Sequence, residues 1–63
     1  MEEKKKFRIM VEYADGSIGF YDFWHEKNVI KAFEDYHPSI ERRSCLMIMK
    51  DNGLYVIERT VTA

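Results

Sequence analysis

Two short glycine-ended segments constrain this chain more than anything else in it. Ala14-Asp15-Gly16-Ser17 and Asp51-Asn52-Gly53 each lie between apolar runs. Asp-Gly is among the strongest hairpin signals, because glycine takes positive φ at no steric cost and lets one strand fold back beside the last. Each turn therefore predicts a hairpin. Before the first, Phe7-Arg8-Ile9-Met10-Val11-Glu12-Tyr13 alternates with a period of two. Phe7, Ile9, Val11 and Tyr13 share one side; Arg8, Met10 and Glu12 share the other. That is the pattern of a half-buried strand. Ile18-Gly19-Phe20-Tyr21-Asp22-Phe23 returns as its partner. Around the second turn, residues 44–50 form a nearly continuous apolar run and read as a buried, central strand. Residues 54–61, rich in β-branched and aromatic side chains, read as the last strand.

Between the hairpins the period changes. Over residues 25–36, Val29, Ile30, Phe33 and Tyr36 line one side, with Ala32 beside them. Glu26, Lys27, Asn28, Lys31, Glu34 and Asp35 fill the other, so the segment predicts an amphipathic helix of about three turns. Asp22 is the expected N-cap, and Glu26 suits the positive end of the helix dipole. His37-Pro38-Ser39 stops the helix, since the residue before proline is pushed out of helical geometry. Residues 40–43 read as a short connection. The expected fold is α+β, ββαββ: a four-stranded antiparallel sheet from two hairpins with one amphipathic helix between them. Residues 1–63 read as a single domain, with 1–6 expected to fray. The two hairpins echo each other loosely and are not a repeat.

A chain of 63 residues has a thin core. Domains of this size bury only about 60% of the surface their unfolded form exposes, and usually add a disulfide, a metal or self-association. Cys45 is the sole cysteine, so no intrachain disulfide forms. His25, His37 and Cys45 match no zinc spacing and are read as two surface histidines and one strand cysteine. Self-association remains. Met1 to Lys6 is charged with no apolar stretch after it, so neither an export signal nor a membrane span is expected, and the cytoplasm is the expected compartment.

Ten basic and eleven acidic residues leave a net charge of −1. A duplex-DNA binder carries a positive excess and a DNA mimic a negative one, and neither bias is present. No catalytic centre stands out. Cys45 lies in a strand with nothing nearby to activate it as a nucleophile. Glu26, Glu34 and Asp35 sit on the polar helix face. Gly16, Gly19 and Gly53 are isolated rather than a phosphate loop, and Gly19, inside a strand, marks a bulge or a close backbone approach. The chain is read as a non-enzyme with no cofactor and no metal.

The informative feature is the sheet itself. For the first hairpin, a two-residue Asp15-Gly16 loop would pair Val11 with Phe20 and Ile9 with Asp22. A type I turn at Ala14-Asp15 with Gly16 as a bulge pairs Arg8 with Asp22, Met10 with Phe20 and Ile9 with Tyr21. The second is preferred, because it gives Asp22 a cation instead of burying its carboxylate. In either register Met10 and a large aromatic fall on the face away from the helix. On the third strand Leu46 and Ile48 alternate with Cys45, Met47 and Met49, so both its faces are apolar. One helix covers one face only, and an apolar patch rich in methionine and aromatics usually marks an interaction site. The expected contact residues are Met10, Phe20, Met47, Met49 and Val56, with Arg8 and Arg59 at the rim. The expected function is a non-enzymatic protein-interaction module that self-associates as a homodimer, through this face or an edge strand, and acts by binding a further protein. Small regulators and inhibitors, including those of bacteriophages and mobile elements, share this plain build by analogy alone. The alternative is binding of single-stranded nucleic acid by stacking bases on Phe20 or Tyr21 beside Arg8, Arg43 and Arg59.

Overall fold

The computed structural model describes residues 4–35 and 40–62. Its elements run β1 (Phe7–Tyr13), β2 (Ile18–Phe23), α1 (Glu26–Glu34), β3 (Glu41–Met49) and β4 (Tyr55–Thr62). The strands form one antiparallel sheet in the order β2-β1-β3-β4. The chain therefore has the ββαββ, α+β architecture expected, with β1 and β3 central.

Both hairpins close by the same turn. In the first, the Gly16 N–H donates to Tyr13 O at 3.0 Å and the Tyr13 N–H to Ser17 O at 2.8 Å. In the second, the Gly53 N–H donates to Lys50 O at 2.9 Å and the Lys50 N–H to Leu54 O at 2.9 Å. Gly16 and Gly53 take φ of 93° and 83°, the left-handed conformation that a Cβ disfavours. A side-chain oxygen braces each turn: Asp15 Oδ1 accepts from the Ser17 N–H, and Asn52 Oδ1 from the Leu54 N–H. This is a type I turn with a glycine bulge, and it sets the preferred register. Arg8 pairs with Asp22, Met10 with Phe20 and Ile9 with Tyr21.

The helix packs on one face. Val29 and Phe33 reach down onto Ile9, Val11 and Leu46 to make the buried core, with Phe7, Tyr13, Phe23, Ile30, Ala32 and Val61 around it. The helix is shorter than expected. It starts after His25, whose side chain makes no capping bond, and Asp35 closes it. Asp22 is not the N-cap. It stays in β2, where the Arg8 fork opposite satisfies its carboxylate better than a helix terminus would. Tyr36 and the expected stop at His37-Pro38-Ser39 lie outside the described residues.

Two further expectations are corrected. Residues 41–43 are not a connection but the first part of β3, joined to β1 through a bulge at Arg42. The backbone at Lys5 and Lys6, within the segment expected to fray, is bonded to the sheet. The Lys6 carbonyl accepts from the Met49 N–H at 2.7 Å, and the Lys5 carbonyl from the Tyr55 hydroxyl at 2.6 Å.

Candidate functional site: the open face of the sheet

Residues directly opposite in an antiparallel pair share a face, so the register defines what lies opposite the helix. One row reads Asp22, Arg8, Met47, Ile57. The next reads Phe20, Met10, Cys45, Thr60, and the third Ile18, Glu12, Arg43, Thr62. Met49 and Tyr55 add a fourth, shorter row. Met10, Phe20, Met47 and Met49 thus fall together as expected, and Arg8 lies among them instead of at the rim.

Val56 and Arg59 do not join them. Leu46 pairs with Arg59 and Met47 with Ile57, so Glu58 is an extra residue, a bulge in β4. The bulge changes the phase of the alternation. Val56 pairs with Ile48 and Arg59 with Leu46, both on the helix side, where Arg59 borders a groove with Glu26 and Ile30. Ile57 and Tyr55 occupy the open face instead. The hairpin register alone sets Val56 opposite Ile48, while the bulge turns Arg59, which unbroken alternation would leave on the open face, to the helix side. A bulge of one residue leaves no mark in a strand of such uniform composition.

Phe20 and Ile57 are 58% and 52% exposed, at opposite sides of the face, with Met10, Met47 and Met49 half-buried between them. Beneath them Cys45 is only 2% exposed, its Sγ 3.7 Å from the Thr60 hydroxyl. Short side chains in the middle of the face are roofed by the longer ones around them.

Arg8 organises the polar part. Its Nε donates to Asp22 Oδ1 at 2.7 Å and its Nη2 to Asp22 Oδ2 at 3.1 Å, a two-pronged pair. The same guanidinium lies 3.9 Å from the Tyr55 ring centroid and 5.4 Å from that of Phe20. The hydrogen bond to Asp22 raises the Arg8 pKa further and holds the Asp22 carboxyl below the ordinary carboxylate value. Arg43 stands 3.6 Å from Glu12. Both arginines of this face therefore have a carboxylate beside them, and the charge they bring is balanced in place.

The helix side carries a second feature. The hydroxyls of Tyr13 and Tyr21 are hydrogen-bonded to each other. Both rings lie over Gly19, where an added Cβ would stand 3.2 Å from Tyr13 Cε2 and from Tyr21 Cε2 and OH. The pairing of β2 with β1 is regular at Gly19 and the atoms that come close are those of side-chain rings, so neither the expected bulge nor the expected backbone approach is what the glycine serves. The tyrosines also border a cleft of about 220 Å³ with Phe23, Glu41 and Ser44. Aromatic rings laid over a strand glycine supply the packing that residue lacks, which accounts for the pair structurally.

Among the described residues no three His, Cys, Asp or Glu side chains converge to hold a metal, and no helix is long and apolar enough to cross a membrane. His25 is exposed, and His37 lies outside the described residues. Comparison of the chain with protein-family models, with curated proteins and with solved structures finds no match.

Proposed function

We propose that this chain is a non-enzymatic protein-interaction module that self-associates through the open face of its sheet. The observation that carries the reading is the exposed pair Phe20 and Ile57 flanking the half-buried Met10 and Met47. An antiparallel face meant for water alternates apolar with polar residues more cleanly. Pliable methionines beside rigid aromatics suit a surface that packs against protein. The balanced arginines favour this over single-stranded nucleic acid, since affinity for phosphates comes from unpaired cations. A role as regulator or inhibitor of a further protein is the finer form of the same reading.

Sedimentation velocity of the wild type, Met47→Glu and Ile57→Glu tests it. The wild type is expected to sediment as a homo-oligomer, and each variant, still folded by circular dichroism, to lose that contact. A monomeric wild type, or variants of unchanged mass, would overturn the proposal.

A further inference from the structure

We propose that β2 is a receptive sheet edge at which a second copy of the chain adds its own β2, antiparallel and centred on Phe20. This contact is separate from the open-face contact and stands without it.

The sheet has two edges, β2 and β4, and they are built differently. Natural edges are blunted by bulges, prolines and charged side chains, which stop further strands from pairing. β4 carries the Glu58 bulge, with the charge of Glu58 and Arg59 at the break. β2 is regular over all its pairs with β1 and contains neither proline, lysine nor arginine. Its single charge, Asp22, is drawn inward by Arg8 on β1 and does not guard the edge. Ile18, Phe20 and Tyr21, all on this one strand, are among the most exposed large apolar side chains of the molecule.

The hydrogen-bond pattern shows what β2 offers. The bond from the Tyr13 N–H to Ser17 O begins the ladder, and antiparallel pairs alternate between bonded and non-bonded. Val11 with Gly19, and Ile9 with Tyr21, therefore exchange bonds within the sheet. Ile18, Phe20 and Asp22 turn their N–H and C=O groups outward.

A second β2 fits this row. With the two-fold axis at Phe20, the Phe20 N–H and C=O of each copy bond those of the other. The two Phe20 rings then stand side by side on the open face, a favourable aromatic cross-strand pair. On the helix side Tyr21 falls opposite the other copy's Gly19, which puts no side chain of its own in the way and is already covered by the tyrosine rings of its chain. Ile18 meets Asp22, which keeps its Arg8 partner. Such an isologous contact joins two sheets into one and adds burial to a chain with a thin core.

Amide hydrogen exchange by NMR, as a function of protein concentration, tests the proposal. Among the described residues of the single chain, the amides of Ile18, Phe20 and Asp22 face no strand. On pairing they are expected to slow, by roughly tenfold or more once most of the chain is dimeric. The outward amides of Ile57 and Thr60 on β4 are expected to stay fast. Ile18→Pro removes only an outward N–H, which proline tolerates on an edge. The two-fold contact loses one such hydrogen bond from each copy, so pairing is expected to weaken by roughly tenfold to a hundredfold. Fast, concentration-independent exchange of the β2 amides overturns the edge contact, whether or not the chain is oligomeric. An oligomer with fast β2 amides that dissociates in Met47→Glu leaves the open-face reading standing alone. Protected β2 amides with unchanged mass in Met47→Glu leave only the edge contact.

Discussion

Arg8 holds Asp22 by two hydrogen bonds, of 2.7 and 3.1 Å, while its guanidinium plane covers Tyr55 two strands away. One side chain thus ties both edge strands to the centre of the sheet. The pair is about one-third exposed on each side, so solvent screens it. Arg8→Ala is expected to lower stability by about 1–2 kcal/mol, from the fork and the cation–π contact together. Arg8→Lys should recover little, because an ammonium lacks the planar fork. Urea unfolding of the three proteins measures both.

The same pair sets an acid limb. Arg8 depresses the Asp22 pKa in the folded state below its ordinary 3.8. A depressed carboxylate stabilises fully above its unfolded pKa, and that contribution is lost as pH falls through the folded value. Stability is therefore expected to fall below the ordinary aspartate pKa, and to fall less steeply in Asp22→Asn. Urea midpoints taken between about pH 2 and pH 6 give the comparison.

Gly19→Ala is expected to destabilise, although alanine normally suits a strand better than glycine does. Its Cβ would press on two tyrosine rings already joined through their hydroxyls. Overpacking of this kind costs about 1 kcal/mol or somewhat more. Tyr21→Ala frees the space, so the double variant should show a smaller cost for the alanine than the wild-type background does. A thermal or urea double-mutant cycle reads the difference.

Gly16→Ala and Gly53→Ala should each cost about 1 kcal/mol, from backbone conformation alone, since nothing lies near either position. Asparagine at the same places should cost less, because it enters the left-handed region more readily. Equal penalties for alanine and asparagine, in the same unfolding assay, would count against this explanation.

Cys45 is expected to resist thiol reagents until the chain opens, because its neighbours on the open face leave it 2% exposed. Alkylation followed by mass spectrometry should track unfolding across a urea series. Labelling at the rate of a free thiol in native buffer would contradict that burial.

The two hairpins were legible because their determinants are local. Gly16 and Gly53 announce the turns, and the alternation from Phe7 to Tyr13 reports which side is buried. The register of the first hairpin was also legible, through the match of Arg8 with Asp22. What stayed hidden depends on partners far along the chain. Asp22 suits both a helix cap and the partner of Arg8, and the start of the helix at Glu26 leaves it only the second role. Residues 41–43 look polar enough for a loop until β1 pairs with them. The face of Val56 stayed hidden because composition does not fix the register of the second hairpin, and that of Arg59 because nothing in the sequence marks the phase break at Glu58. Apolar composition showed that both faces of the sheet are greasy; it could not say which residues of β4 belong to which.

That extra residue at Glu58 has a consequence for how large an assembly can grow. Removing it would leave Met47 opposite Ile57 and Leu46 opposite Arg59, so every side chain would keep its face and β4 would become an unbroken strand. A molecule with one joinable border can make a pair and must then stop. A molecule with two can pass each newcomer's far border on to the next, and the chain of contacts never closes. If β2 pairs as proposed, one codon in the last strand would separate edge contacts that end at a pair from edge contacts that run on as a filament.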